Sequence, residues 1–411
     1  MKIKSIRSAT TVLVSVSMLC SSFLPAFAQM NVEVTGNGAG STNDVTDSTT
    51  NNTTVFQTNT ATVSNKLKIT SSTGGNQIKG TTGGNAQVET GNANISASVT
   101  NTVNTNQAVV DTCNCDQSVD ALVTGNGAES QNTINHTQNN TASVVQDGVA
   151  EVTNELKLNA DTGTNEIKGL TGGTAKIETG NVTIAPVEVI NTVNTNVAIL
   201  GAADPDSSAP HMGLTVANNG ADSTNTIGVN TNHIADFFQS GTSTLLNDLE
   251  IKGNSGANEV DSNTMAPDSD GVISISTGAV NMDAYVDSAT GFNIASDDCG
   301  CIQDTTATID GNGTEALSDV ALNVVTSSLA TQDNHDQFDT VGGMDCGTGT
   351  NEAEGNTNGG VNAETGNCTQ SYDEINTGSS NFFGKLASLP QVSSTNMTGL
   401  LSALGVSVQA E

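Results

Sequence analysis

The chain has 411 residues, a formal net charge of −32 at pH 7, 3% aromatic residues and no Trp. Its negative charge argues against binding to DNA, RNA or an anionic membrane surface, because each of these needs a cationic footprint. One aromatic side chain buries roughly 150–250 Å², so their scarcity argues against a bulky enzyme core. The composition favours small cores of Val, Ile, Leu and Ala between thin layers.

The first 28 residues have the pattern of a signal peptide. Lys2, Lys4 and Arg7 form a basic region, residues 11–24 contain an apolar region, and residues 26–28 (Ala-Phe-Ala) supply the cleavage pattern. The apolar region is shorter than the ~20 residues that a membrane-spanning helix needs. We therefore expect cleavage after Ala28, no membrane span, and a protein that is secreted or displayed on the cell surface.

Removal of this segment would leave eight Lys, no Arg and all 43 acidic residues, with a formal charge near −35. Such a surface keeps an exported protein soluble and is able to attract divalent cations. A plain solvated acidic surface is the simpler interpretation of the same pattern.

A repeated phrase organises the chain into four units. Residues 165–181 (NEIKGLTGGTAKIETGN) have counterparts at 76–92 and 351–367 and a partial one at 256–260. The repeat predicts units at residues 29–119, 120–209, 210–303 and 304–380, followed by a tail at 381–411.

Within the units, apolar and polar residues alternate with a period of two, as Ala61, Val63, Leu67 and Ile69 do. Such alternation predicts strands with one buried face, and a one-residue slip at residues 185–186 predicts a β-bulge. The chain is therefore expected to be all-β. A repetitive β-solenoid is favoured, because turn pairs with adjacent Asn are frequent and the apolar content is low; the alternative is a string of β-sandwich units.

The tail differs from the units in its apolar spacing. Its spacing predicts one or two short amphipathic helices separated by Pro390, the apolar positions being Phe382, Phe383, Leu386, Leu389, Leu400, Leu401, Leu404 and Val406. We expect this segment to cap the last open β edge. The alternative is a docking segment for a partner or for the cell envelope.

Six cysteines follow the signal peptide, and an even number in an exported protein predicts disulfides. They are Cys113, Cys115, Cys299, Cys301, Cys346 and Cys368. Cys346 and Cys368 lie in one unit and make the most natural pair. A bond within either Cys-x-Cys would close a strained ring, so those four are expected to bond to each other or to neighbouring chains, or to bind zinc if the two junctions meet.

Carboxylates gather at the junctions between units. Clustered Asp on loops is able to hold Ca²⁺, and the candidate ligands are Asp111, Asp116, Asp204, Asp206, Asp297 and Asp298. No 12-residue calcium loop is complete. Calcium is therefore the cofactor that these acidic junctions suggest, and solvated acidic loops are the alternative.

No catalytic motif stands out. His136, His211, His233 and His335 lie in dissimilar polar contexts without a nucleophile elbow or a metal-binding helix. We therefore expect that the protein is not an enzyme.

Short phrases such as Thr82–Ala86 (TGGNA), Thr90–Ala93 (TGNA) and Asn101–Asn106 (NTVNTN) recur through about residues 31–370. They resemble the Asn/Thr/Gly-rich repetitive exported surface proteins of ultrasmall, candidate-phylum bacteria. A weaker similarity, through Gly125–Ala128 and nearby Gln131-Asn132, is to curlin repeats, although the short regular curlin period is missing. These resemblances imply a cell-surface protein and bring no catalytic residues.

The sequence thus predicts a structural or adhesive β-protein of the cell surface, whose partners are envelope or surface components, glycans or other copies of itself. The alternatives are a carbohydrate-binding β-helix and a fibre-forming, curlin-like subunit.

Overall fold

The computed structural model describes residues 14–20, 30–110, 119–201, 211–264, 272–297 and 304–384. All regular structure in these residues is β, as the alternation predicts. The strands form four successive levels of a stack, which we call rungs 1 to 4. We use the word layer for the two sheets that face each other across the core. One strand, β1 (Val14–Cys20), precedes them.

Each rung contains two long strands joined by short ones. Rung 1 consists of β2 (Met30–Thr35), β3 (Thr42–Ser72), β4 (Gln77–Lys79), β5 (Ala86–Glu89) and β6 (Ala93–Val110), and rung 2 of β7 (Val119–Thr124), β8 (Gln131–Asp161), β9 (Asn165–Lys168), β10 (Ala175–Glu178) and β11 (Val182–Leu200). Rung 3 consists of β12 (His211–Ala217), β13 (Thr224–Asn254), β14 (Asn258–Asp261), β15 (Val272–Ser276) and β16 (Val280–Asp297). Rung 4 consists of β17 (Asp304–Asp310), β18 (Leu317–Gly347), β19 (Asn351–Glu354), β20 (Gly360–Glu364), β21 (Cys368–Thr377) and β22 (Ser380–Phe383).

Strands pair between rungs, and all of the pairs are parallel. The longest sheet has the order β18-β13-β8-β3, and four other sheets stack the remaining strands in the same rung order. Asn43 pairs with Asn132, Asn132 with Asn225, and Asn225 with Ser318, so that equivalent residues lie one above another. This is a β-solenoid-like architecture. The string of sandwiches is wrong, because each sheet of the described residues takes its strands from successive units.

One strand in each rung is much longer than the others. β3, β8, β13 and β18 each have 31 residues, which at ~3.3 Å per residue makes each about 100 Å long. Successive side chains of these strands point to opposite faces of the sheet without a break, since no tight turn interrupts the strands. One 90-residue unit therefore makes a single wide rung.

The core lies between the long sheet and the sheets that face it. One end of the long sheet packs on β7 and β12, through contacts among Val45, Ile134, Val123 and Leu214. The rest packs on the sheet of β6, β11 and β16, as Leu156 does on Val187. The expected bulge is present, because the register of β11 shifts between Ile184 and Val187 on both sides. Small apolar side chains thus fill a thin two-layer core.

β1 lies on the open side of rung 1, where it pairs in parallel with β6. Val16–Leu19 align with Thr105–Ala108. The rest of the predicted signal peptide lies outside the described residues. So does the tail from residue 385 onward, and the start of that segment, predicted to be helical, is instead strand β22.

A column of glutamines crosses the core. Gln146 Nε2 donates to Gln57 Oε1 at 2.7 Å and to the carbonyl oxygen of Val197 at 3.0 Å. Gln239 repeats this pattern with Gln146 and Ile294, at 2.7 and 2.9 Å. Each amide therefore joins two rungs and also joins the two layers.

We expect Gln146→Leu to lower the free energy of unfolding by about 3 kcal/mol, because it removes the donor to two buried oxygens and the acceptor of Gln239. Denaturant-induced unfolding followed by circular dichroism measures the change. Val149→Thr on the same strand is the control: its side chain is exposed, and a change within about 0.5 kcal/mol is expected. Equal effects of the two substitutions would contradict the role given to the glutamine column.

Candidate functional site: side-chain columns and the two open edges

Asparagine columns at the turns bind the rungs together. Asn76 Nδ2 donates to Asn165 Oδ1 at 3.1 Å, Asn165 to Asn258 at 3.0 Å, and Asn258 to Asn351 at 2.9 Å. Every donation runs from the lower-numbered rung to the next. Asn351 Nδ2, at the end of the column, is shielded from solvent and has no hydrogen-bond partner among the described residues. The column thus ends on an unused donor.

A second set of asparagines holds the two layers at a local distortion. Asn104 and Asn194 have positive φ angles of 56° and 53°, a conformation that Asn tolerates better than most residues. Their amides donate to the carbonyl oxygens of Val149 at 2.7 Å and Thr242 at 2.8 Å in the facing strands. A Cβ on Gly148 would lie 2.7 Å from Asn194 Oδ1. Glycine at this position therefore gives the Asn194 side chain its space.

Ion pairs form on the outer surface of the long sheet. Lys66 Nζ lies 2.5 Å from one carboxylate oxygen of Glu155, and Lys157 Nζ lies 3.1 Å from the other. The hydrogen bond from Lys66, followed by that from Lys157, holds the pKa of Glu155 below its ordinary value of 4.5. Nearby, Lys168 forms an ion pair with Asp261, which lowers the pKa of that carboxyl group. Lysines of one rung thus neutralise carboxylates of the next.

The open side of rung 4 lacks this compensation. Glu354 occupies the position of Lys79 and Lys168 in the lower rungs. The pKa of Glu352 is raised, first by the hydrogen bond and the charge of Glu354, and further by the carboxylates of rung 3. The short strand β19 therefore presents unneutralised negative charge at the end of the stack.

The predicted disulfide between Cys346 and Cys368 is confirmed, with Cα atoms 6.2 Å apart. It joins the end of β18 to the start of β21 and so connects the two layers of rung 4. Cys113, Cys115, Cys299 and Cys301 lie outside the described residues, and their pairing stays a prediction.

Among the carboxylates proposed for calcium, only Asp297 is described. It lies 3.3 Å from His233 Nε2 and also accepts a hydrogen bond from Ser328. Asp111, Asp116, Asp204, Asp206 and Asp298 lie outside the described residues. Within the residues that the structure describes, no group of three or more metal-ligating side chains is found, so calcium binding at the junctions stays a prediction.

Two of the four histidines form pairs with carboxylates, one between rungs and one between the facing sheets. His136 Nδ1 lies 2.8 Å from Asp47 Oδ2 of rung 1, and His233 contacts Asp297 across the layers. Both His136 and His233 are buried. These contacts therefore belong to the stacking of the fold.

The sequence alone did not show which residues form these columns. Their signal is the recurrence of one residue type at spacings of 89 and 93 residues, as in Asn43, Asn132 and Asn225.

Comparisons with protein-family models, with curated proteins and with solved structures found no match for this chain. In the part of the chain that the structure describes, no helix is long and apolar enough to cross a membrane.

We expect Lys66→Met to raise the pKa of Glu155 toward 4.5, and Lys157→Met to raise it by less, because the Lys66 bond is the shorter and larger cause. Because the folded-state pKa of Glu155 is depressed, the stability from this pair is present above the unfolded pKa and is lost as the pH falls through the folded pKa. Carboxyl-resolved NMR titration measures both variants. The reverse order of effects would contradict the assigned contacts.

Proposed function

We propose that this chain is an exported β-solenoid that acts as a structural or adhesive element at the cell surface. The observation that carries the proposal is the set of columns that runs through all four rungs. The glutamine column, for example, continues from Gln239 to Gln332, whose amide donates to Gln239 Oε1 at 2.6 Å. This construction is suited to a rigid, extended body, because every rung adds the same contacts to its neighbour.

Two features of the sequence support the location. The N-terminal pattern is that of a signal peptide, and the resemblance to Asn/Thr/Gly-rich exported proteins implies the cell surface. The disulfide between Cys346 and Cys368 is consistent with an oxidising compartment.

The test is fractionation of the source cells, with an antibody against the chain. We expect the protein in the surface or secreted fraction, accessible to protease added to intact cells, and beginning at Gln29 by N-terminal sequencing. A cytoplasmic marker protein that is not digested by the added protease shows that the cells stayed intact. Recovery of the uncleaved chain from the cytoplasm would contradict the proposal.

A carbohydrate-binding function is the second candidate, and one surface column favours it. Phe56 and Phe238 are 71% and 41% exposed and lie in the same outward column of the long sheet. Exposed aromatic faces are suited to stacking on sugar rings. Tyr372 is a poorer candidate, because its ring packs against the core and burial raises its pKa to about 12.

A glycan array tests this candidate. Binding that falls at least tenfold in Phe56→Ala and in Phe238→Ala would support it. The control is Phe237→Leu, a conservative change of a buried side chain, which should retain binding. An array without signal would remove it.

A further inference from the structure

We infer that copies of this chain stack head to tail, with the open side of rung 4 pairing in parallel register with the open side of rung 1 of the next copy. The inference deepens the proposed structural function by naming the partner as a second copy, and its interface is the one that the chain already uses three times within itself.

The open side of rung 4 is an apolar surface that a further rung would cover. Val320 and Val361 are 46% and 53% exposed, whereas their equivalents in rung 3, Ile227 and Ile273, are both 0% exposed. Within the chain these positions are buried because the next rung lies over them. The exposure in rung 4 is therefore that of an interrupted stack.

Rung 1 carries apolar residues at the matching positions. Val45 aligns with Ile134, Ile227 and Val320 in the long sheet. Ala86 aligns with Ala175, Ile273 and Val361. Stacked copies would therefore continue both apolar columns without a change of register.

The asparagine column favours the same register. Its donations run upward through the rungs and end on Asn351 Nδ2, which has no hydrogen-bond partner among the described residues. In the stacked pair the next residue in this column is Asn76. The amide oxygen of Asn76 would supply the acceptor that the buried donor lacks, and an unmet buried donor is costly.

Charge makes this arrangement less repulsive than contact between two copies of rung 4, and one position pairs opposite charges. Residues 29–119 contain six acidic residues and three Lys, whereas residues 304–380 contain 13 acidic residues and no Lys. Two copies of rung 4 would repel each other. Lys79 of the next copy would instead lie over Glu354, as Lys168 lies beside Asp261 within the chain.

The open side of rung 4 is wide, so a partner that covers it must present strands of matching length. Strands β17 to β22 together present 61 residues there. A second copy offers a matching strand for the long strand β18 and for the shorter ones. Because the two surfaces that meet are different and lie at opposite ends of the stack, the contact is head to tail and, continued along the stacking direction, builds a filament.

Strand β1 occupies part of the docking surface on rung 1. It pairs with Thr105–Ala108 of β6. These residues are equivalent to residues 292–295 of β16, with which β22 pairs. In a stacked pair, β22 of the other copy would therefore pair with the residues that β1 now occupies. Stacking therefore requires β1 to leave. Cleavage after Ala28 would remove it, and the core clusters of the described residues lie beyond that point.

The test uses charge exchange in the chain that begins at Gln29. By sedimentation velocity and negative-stain electron microscopy, we expect the unchanged chain to form linear assemblies. Glu354→Lys alone, or Lys79→Glu alone, places like charges in contact and should raise the concentration needed for assembly about tenfold. Because Lys79 also lies 3.4 Å from Glu166 within the chain, thermal unfolding of the dilute variants checks that each fold is retained. An equimolar mixture of the two variants should recover assembly to within about twofold, because each contact between the different variants is again a pair of opposite charges.

Asn351→Asp is a second, more conservative variant. The carboxylate still accepts the hydrogen bond from Asn258 within the chain, but it offers no donor to Asn76 of the next copy. We expect assembly to weaken at least tenfold, while thermal unfolding of the dilute chain shows that the fold is retained. The control Asn181→Asp, at an exposed position of rung 2 away from both open sides, keeps the side-chain oxygen that accepts from the backbone N–H of Ala279 and should change assembly by less than about threefold.

Several outcomes would overturn the inference. These are a chain from Gln29 that stays monomeric at all concentrations, a mixture of charge variants that does not recover, and a full-length chain that assembles as readily as the trimmed one. Assembly that begins only after residues 385–411 are deleted would assign the open side of rung 4 to the tail. A monomer found at the cell surface would leave the proposed function intact, whereas a filament former confined to the cytoplasm would overturn that function and leave this inference.

Discussion

The pairing of buried amide side chains between rungs is the constraint on which the rest of this structure depends. A buried amide without a partner costs more than a paired one gains, and in a parallel stack the nearest partner is the equivalent residue of the next rung. Asn132 illustrates this: it accepts from Asn43 at 2.7 Å and donates to Asn225 at 2.9 Å. A shift of register by one residue would break all such columns together. The columns therefore select the register as well as stabilising it.

This use of amides explains how a chain with few aromatic residues forms an ordered interior. The apolar side chains in the core are mostly Val, Ile, Leu and Ala, and they fill a layer of small thickness. Hydrogen bonds such as that from Gln146 to Val197 hold the layers together where apolar contacts are sparse. Specificity comes from the amides, and apolar burial supplies the general driving force.

The four rungs are not equivalent in charge. Lysines concentrate in the first two, where Lys66 and Lys168 compensate carboxylates of the following rung. Rung 4 has acidic residues without such compensation, and the raised pKa of Glu352 reflects that crowding. The stack thus has two chemically different ends, a direct consequence of unequal repeats in a parallel arrangement.

The sequence by itself determined the all-β class, the four-fold repeat, the bulge at residues 185–186 and the pair Cys346–Cys368. Each depends on local information: alternation with a period of two, recurrence of a phrase, an inserted residue, or proximity within one unit. Location, partners and cofactor stay predictions, as do the junction residues that lie outside the described part of the chain.

Only the tertiary structure decided how wide a rung is and which residues form its columns. The same alternating stretch fits several short strands or one strand of 31 residues such as β3, because side-chain alternation carries no information about where a chain bends. Likewise, alternation places Gln57 in the same phase as the buried Val55, but it does not distinguish a buried, hydrogen-bonded amide from one at the surface. That distinction depends on the facing layer and on the neighbouring rung, which lies 89 residues away in sequence and one strand spacing away in space.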